Sequence, residues 1–339
     1  MKIQEKSPSS LMVLDKNAPE SWIRVASTDF SRTIESVQGV LHGLLGFDDD
    51  NDDNAEIVVV VNATQTSKMI PDPQPRRYPG QTELERELQS LPAFIAREEK
   101  MRPLAVRVTD SLASSGLLGD EAFAVSFGVG EDEPQDDEQP HATQKERSPL
   151  PWNQLAEITR CLLVRNMLPK SISKSDQERL EEHNAWRWFE LLNHRELTRM
   201  AIKSMAKKMV RNAEQAATFH VASHKEDMPS NQPPPPLLHI FSGHDATLIS
   251  LMCAFQLERP KVWPDYGSYL KMDLLRNDDL VESGNSDGFF VRFSLNGEPL
   301  KSRFGGENDE KTSGRWLIPL EDVTKGMDAF EQGMPLPIH

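Results

Sequence analysis

Cysteine is nearly absent from this chain of 339 residues, with only Cys161 and Cys253 present. Two such widely separated thiols cannot build a disulfide framework and match no metal-ligand spacing, so neither a metal nor a cofactor is expected. Long apolar runs are missing too. None approaches the roughly 20 residues that cross a bilayer, so no membrane span is expected. The opening MKIQEKSPSS holds no apolar stretch of the secretory-signal kind. Basic residues are in deficit, 38 Lys and Arg against 53 Asp and Glu, for a formal charge of −15. A net anion gains nothing from a polyanion, which argues against nucleic acid or an anionic bilayer surface as partner. No internal repeat is visible. The length is sufficient for one large or two ordinary domains with a real core.

What is present alternates between strand-like and helical patterns. Trp22 to Ala26 (WIRVA) reads as a strand ending at a polar turn, Ser27-Thr28-Asp29. From Thr33 onward, Ile34, Val37, Leu41 and Leu44 recur at a helical period. DDDNDD at 48–53 is too charged to bury and reads as a solvated loop. Ile57 to Val61 (IVVVV) is a β-branched run without alternation, the pattern of a strand covered on both faces. Pro71, Pro73, Pro75 and Pro79 then impose an irregular crossover. Residues 81–121 and 151–218 read as largely helical, separated by the acidic, proline-bearing EDEPQDDEQP at 131–140. Within the second stretch Leu197, Ala201, Met205, Met209 and Ala213 form a core-packing stripe.

After Pro233 to Pro236, LLHIF reads as a short strand, followed by Ser242-Gly243-His244-Asp245 and the helical run ATLISLMCAFQL. GSYLKMDLL at 267–275 is strand-like, and GFFVRFSL turns back at Asn296-Gly297 as a hairpin. The pattern predicts an α/β fold with a mostly parallel sheet flanked by helices. Its core is residues 1–69 and 191–339. Residues 70–190 form a mainly helical insertion carrying an acidic flexible loop near 131–147.

Two segments share one grammar of strand, polar turn and helix. In a parallel sheet both turns lie at the carboxyl ends of the strands, where α/β proteins place ligands. The first brings Arg32 into the first turn of its helix, and the second sets His244 and Asp245 just ahead of theirs. Helix starts offer free amides and a positive dipole end. Arg32 adds a planar fork matched to phosphate oxygens, and a protonated His244 adds another donor. A carboxylate repels phosphate, so Asp245 fits this company only as an acid that gives its proton to a departing alkoxide.

These residues resemble the histidine acid phosphatases, the branch of the histidine phosphatase superfamily that includes phytases and lysophosphatidic acid phosphatases. STDFSRTIESVQGVLHGL is similar to the family segment whose arginine before threonine binds phosphate, here Arg32. LLHIFSGHDATLISLMCAFQL is similar to its histidine-aspartate signature, here His244 and Asp245. WPDYGSYLKMDLL and FFVRFSLNGEPLK look like the strands that follow. The resemblance implies a histidine phosphatase-like fold and hydrolysis of a small phosphomonoester through a phosphohistidine intermediate. It makes Arg32 and His244 phosphate-binding groups and Asp245 the acid.

The chain departs from that pattern at one place. The family carries an arginine-histidine-glycine-x-arginine motif on a first, central strand ahead of the Arg32 segment, and no Arg-His-Gly triplet occurs here. His42 falls in a predicted helix, His194 at a loop or helix start, and His239 inside a strand; none has the required arginine two places away. With no nucleophile and that central strand missing, the expectation is a truncated, inactive copy of an acid phosphatase. The alternative is a non-catalytic pseudophosphatase that binds a phosphate ester or phosphate.

Overall fold

Short apolar runs and longer amphipathic ones alternate along the chain. The computed structural model describes residues 22–45, 59–62, 69–70, 80–117, 149–224, 234–260, 263–282, 288–304 and 314–333. The acidic loop near 131–147, the charged run at 48–53 and the four crossover prolines lie outside them. The first part runs β1 (Ile23–Thr28), α1 (Ser31–Leu45), β2 (Val59–Asn62), α2 (Gln81–Gln89), α3 (Pro92–Ser114), α4 (Trp152–Val164) and α5 (Lys174–Leu192). Then come α6 (Arg195–His224), β3 (Leu238–Ser242), α7 (Asp245–Ala254), β4 (Leu270–Arg276) and α8 (Asp278–Glu282). The described chain closes with β5 (Phe289–Leu295), β6 (Glu298–Leu300), β7 (Ile318–Pro319) and α9 (Leu320–Glu331).

Two compact units result. The first comprises Met1–Gln81, Leu192–Arg259 and Pro264–His339; the second comprises Thr82–Leu191 and Pro260–Trp263.

In the first unit β1 lies between β2 and β3, parallel to both. The middle of this sheet belongs to β1, the strand that leads into the Arg32 turn. Ile23 and Val25 share a face with Leu238 and Ile240, which α1 covers through Val37, Leu41 and Leu45. The expected stripe on α1 is met only at its centre. The buried line is Thr33, Val37, Leu41 and Leu45, while Leu44 is 47% exposed. A period of 3.6 allows either Leu44 or Leu45 to follow Leu41, and packing against the sheet selects the second. Phe241, of opposite parity on β3, faces α6, where Lys208 Nζ stands 5.4 Å over its ring. On α6 the predicted stripe is core at Leu197, Ala201, Met205 and Ala213, widened by Ile202, Ala206 and Val210, whereas Met209 is only half-buried. α7 is buried on most of its circumference.

A second sheet in this unit corrects the expectation of a mostly parallel one. β4, β5 and β6 are antiparallel neighbours, and β7 also pairs with β5 in antiparallel fashion. Between β5 and β6 the two-residue link can only reverse the chain, because a parallel return needs a crossover of about a dozen residues. At the predicted hairpin Asn296 and Gly297 take φ of 52° and 88°, the two positive angles of a tight reversal that matches strand twist.

The second unit is helical. α3 turns Leu104, Ala105, Val108 and Leu112 onto Leu155 of α4, Leu180 of α5 and the linking Leu150 and Ile172. A polar centre sits beside that core. The Glu98 carboxylate accepts hydrogen bonds from Trp152 Nε1 at 2.7 Å, His183 Nε2 at 3.1 Å and Arg187 Nη1. Burial pushes the Glu98 carboxyl up. The hydrogen bond from His183, the Arg187 charge and the bond from Trp152 outweigh this and hold it below the usual carboxylate range.

Candidate functional site

The parallel register sets Ser27 of β1 opposite Ser242 of β3, so both strands end at one rim of the sheet. Each is followed within a few residues by a helix start, α1 at Ser31 and α7 at Asp245. Two backbone dipole ends therefore open on the same rim.

The turn before α1 is shorter than the sequence pattern implies. Ser27 and Thr28 belong to β1 and are fully buried, leaving Asp29 and Phe30 as the link. Buried hydroxyls need partners, and these find them next door. Thr33 Oγ1 donates to the Phe30 carbonyl at 2.8 Å and lies 2.8 Å from Thr28 Oγ1. Ser242 Oγ donates to the Thr33 carbonyl at 2.6 Å, fastening β3 to the start of α1.

His244 is the residue preceding α7, with extended backbone at φ −118° and ψ 162°. Its amide donates to Thr247 Oγ1 at 3.2 Å, and that hydroxyl donates to the Met69 carbonyl at 2.5 Å. Gly243 suits this contact. A Cβ there would stand 3.2 Å from Thr247 Oγ1 and 3.5 Å from the Met69 methyl.

The sequence-predicted residues Arg32 and His244 meet. Arg32 Nη2 lies 3.5 Å from His244 Nδ1, across 212 positions of sequence. Phe30 orients both: the guanidinium carbon stands 4.5 Å over its ring, and the imidazole packs edge-on at 4.9 Å between centroids. The other imidazole nitrogen, Nε2, lies 3.2 Å from Thr28 Oγ1. Asp245 adjoins as the first residue of α7, and its Oδ1 accepts the Ala246 amide at 2.8 Å.

Sequence reasoning missed Thr28, Phe30, Thr33 and Thr247. Their only signal was a hydroxyl or ring beside a charged residue, which is common on any protein surface.

Chemically, the rim offers a guanidinium, an imidazole and two helix starts to one small anion. An oxygen of an anion can take a hydrogen bond from Arg32 Nη2, and from the imidazole only through a ring nitrogen that carries a proton. Among the described residues no group of three His, Cys, Asp or Glu side chains is placed to hold a metal, and no helix is long and apolar enough to cross a membrane.

The sequence matches no protein-family profile and no curated protein. Its fold has relatives of known structure. A phytase from Citrobacter braakii superposes with a TM-score of 0.50 at 13% identity, over 91% of this chain and 79% of that one. A Hafnia alvei phytase in its apo form gives 0.47 at 10% identity, over 94% and 80%. The first likeness shows a shared fold: this chain has the α/β architecture of a phytase.

Proposed function

We propose that Arg32 and His244 bind the phosphate group of a small phosphomonoester at the rim of the parallel sheet, with Asp245 placed to protonate the leaving alcohol. The approach of Arg32 Nη2 to His244 Nδ1 at 3.5 Å, from two separate strand-turn-helix units, carries this reading. Arg32 is exposed and, among the described residues, forms no ion pair, so its charge is available to an incoming anion. The phytase-like fold and the resemblance to histidine acid phosphatases support the same ligand class.

We infer further that no histidine among the described residues is placed to attack phosphorus. His239 lies within β3, and burial together with the Lys208 and Arg24 charges lowers its pKa. Cys253 is no substitute. Burial pushes its thiol up to about 12, which keeps it protonated at neutral pH. We therefore read the chain as holding a phosphomonoester without turning it over. It represents the phosphate-binding and leaving-group half of an acid phosphatase-type site.

Calorimetry with inorganic phosphate and an aryl phosphate tests the binding. Heat is expected from the unaltered chain and is expected to vanish in Arg32→Ala; silence from the unaltered chain ends the proposal. Turnover of the aryl phosphate that disappears in Asp245→Asn would refute the non-catalytic part.

A further inference from the structure

β4 is the outer strand of the antiparallel sheet. It pairs with β5 on one side, and no described residue pairs with it on the other. Which of its backbone groups face that open side follows from the ladder. Asn296 N donates to the Tyr269 carbonyl at 3.0 Å and Asn277 N to the Gly288 carbonyl at 2.8 Å, both in the register that sets Leu270 opposite Leu295. Antiparallel partners alternate between bonded and non-bonded pairs, so the odd positions of β4 are the ones tied to β5. Leu270, Met272 and Leu274 therefore turn their N–H and C=O groups outward. Such a row is a template for another strand.

The side chains sort by the same parity. Met272 and Leu274 stand opposite Phe293 and Val291, which are fully buried, yet Leu270, Met272 and Leu274 are themselves only half-buried. Lys271 and Asp273 occupy the other face. The Lys271 side chain is 51% exposed, and its Nζ stands 3.1 Å from Asp273 Oδ2. Arg292 approaches that same oxygen at 3.2 Å, so among the described residues Asp273 Oδ1 is left without a cation.

We propose that β4 is a dimerisation edge, pairing antiparallel with β4 of a second copy of this chain about a two-fold axis at Met272. Outward-bonding positions must meet outward-bonding positions, so the axis can pass only through 270, 272 or 274. Centred on 270, Lys271 meets Tyr269. Centred on 274, Lys271 meets Asn277 and Asp273 meets Leu275. Only the centre at Met272 sets Lys271 of each copy against Asp273 of the other, where Oδ1 is open to it. The same register puts Leu270 against Leu274 and Met272 against Met272 on the opposite face. Both ion pairs then fall at non-bonded positions, where facing side chains stand closest. A lysine on an edge strand keeps strange strands away; here the facing carboxylate makes it a selector of one partner and one register. The inference is independent of the phosphate reading.

Sedimentation equilibrium of the full chain tests it. A dimer is expected, and Lys271→Glu, an exposed change that sets two carboxylates face to face, should raise its dissociation constant about tenfold or more. Register is read by mild oxidation of cysteine variants in a Cys161→Ser background, because Cys161 is exposed. Met272→Cys should link two copies, since bonded partners hold their Cα atoms about 5.5 Å apart, within disulfide reach. Leu274→Cys should not, as its own symmetry mate lies four residues along the partner strand. A chain that stays monomeric at about 100 μM, far above the Kd of a stable dimer, overturns the proposal. So does a dimer whose dissociation constant is unchanged in Lys271→Glu, or a link formed at 274 in place of 272. Should Met272→Cys fail to fold, the response to Lys271→Glu decides alone.

Discussion

The helical unit and the sheet rim of the α/β unit both gather charged and hydrogen-bonding side chains, and they use them in opposite ways. Around Glu98 one carboxylate meets three donors, from Trp152, His183 and Arg187, so donors and acceptor answer each other inside the protein. Asp176 is treated alike: Arg107 approaches it with both terminal nitrogens, at 2.5 and 3.2 Å, and Ser173 adds its amide and hydroxyl. At the rim the cation Arg32 meets an imidazole and a phenyl ring, neither of them an anion. A closed network stabilises a fold, whereas an exposed guanidinium beside an imidazole prepares a place for a ligand.

That contrast can be broken most forcefully at Glu98. Replacing it with alanine removes the shared acceptor and leaves Arg187 and the buried His183 without it. A loss of about 2–3 kcal/mol is expected, read as a lowered denaturant midpoint or Tm. Arg32→Ala is the counterpart on the rim. It should weaken phosphate at least tenfold by calorimetry, about 1.4 kcal/mol or more. The same change should shift stability by no more than about 0.5 kcal/mol, as for a surface residue. A large stability loss in Arg32→Ala would make the rim structural and erase the distinction.

Acid sharpens the comparison further. The Arg107 hydrogen bonds, against partial burial and with Ser173 assisting, hold the Asp176 carboxyl at about 2. A carboxyl of depressed pKa stabilises the fold fully above its unfolded value near 4, and that contribution fades as pH falls toward 2. Denaturant titrations at pH 7 and pH 3 should show Asp176→Asn costing about 1–2 kcal/mol at the first and markedly less at the second. The smallest effect is expected at Gly243→Ala. Crowding Thr247 should lower stability by about 1 kcal/mol and loosen the His244 backbone, measured as weaker phosphate binding in a protein that still folds.

Much of the fold was legible because hydrophobic periodicity reports it directly. The IVVVV and LLHIF runs, the Leu197 stripe and the Asn296-Gly297 reversal all correspond to described elements. The limits are equally specific. Ser27 and Thr28 look like turn residues because hydroxyls favour turns, but buried partners keep them in β1. The hairpin at Asn296-Gly297 announced one antiparallel pair, but not that β4 and β7 join it in a separate sheet, because strand pattern says nothing of which distant strands pair. Within the site Arg32, His244 and Asp245 could be singled out by their position at two helix starts. Thr28, Phe30 and Thr247 could not, since their part depends on which atoms lie opposite them.

Local chemistry therefore determined which segments are strands, where helices begin, and which side chains stand at those beginnings; such properties depend on neighbours a few residues away. Tertiary structure alone decided that positions 32 and 244 share a rim and that Leu45 rather than Leu44 faces the sheet. Those outcomes are fixed by strand register and by packing against the sheet, and neither is encoded in any short stretch of chain.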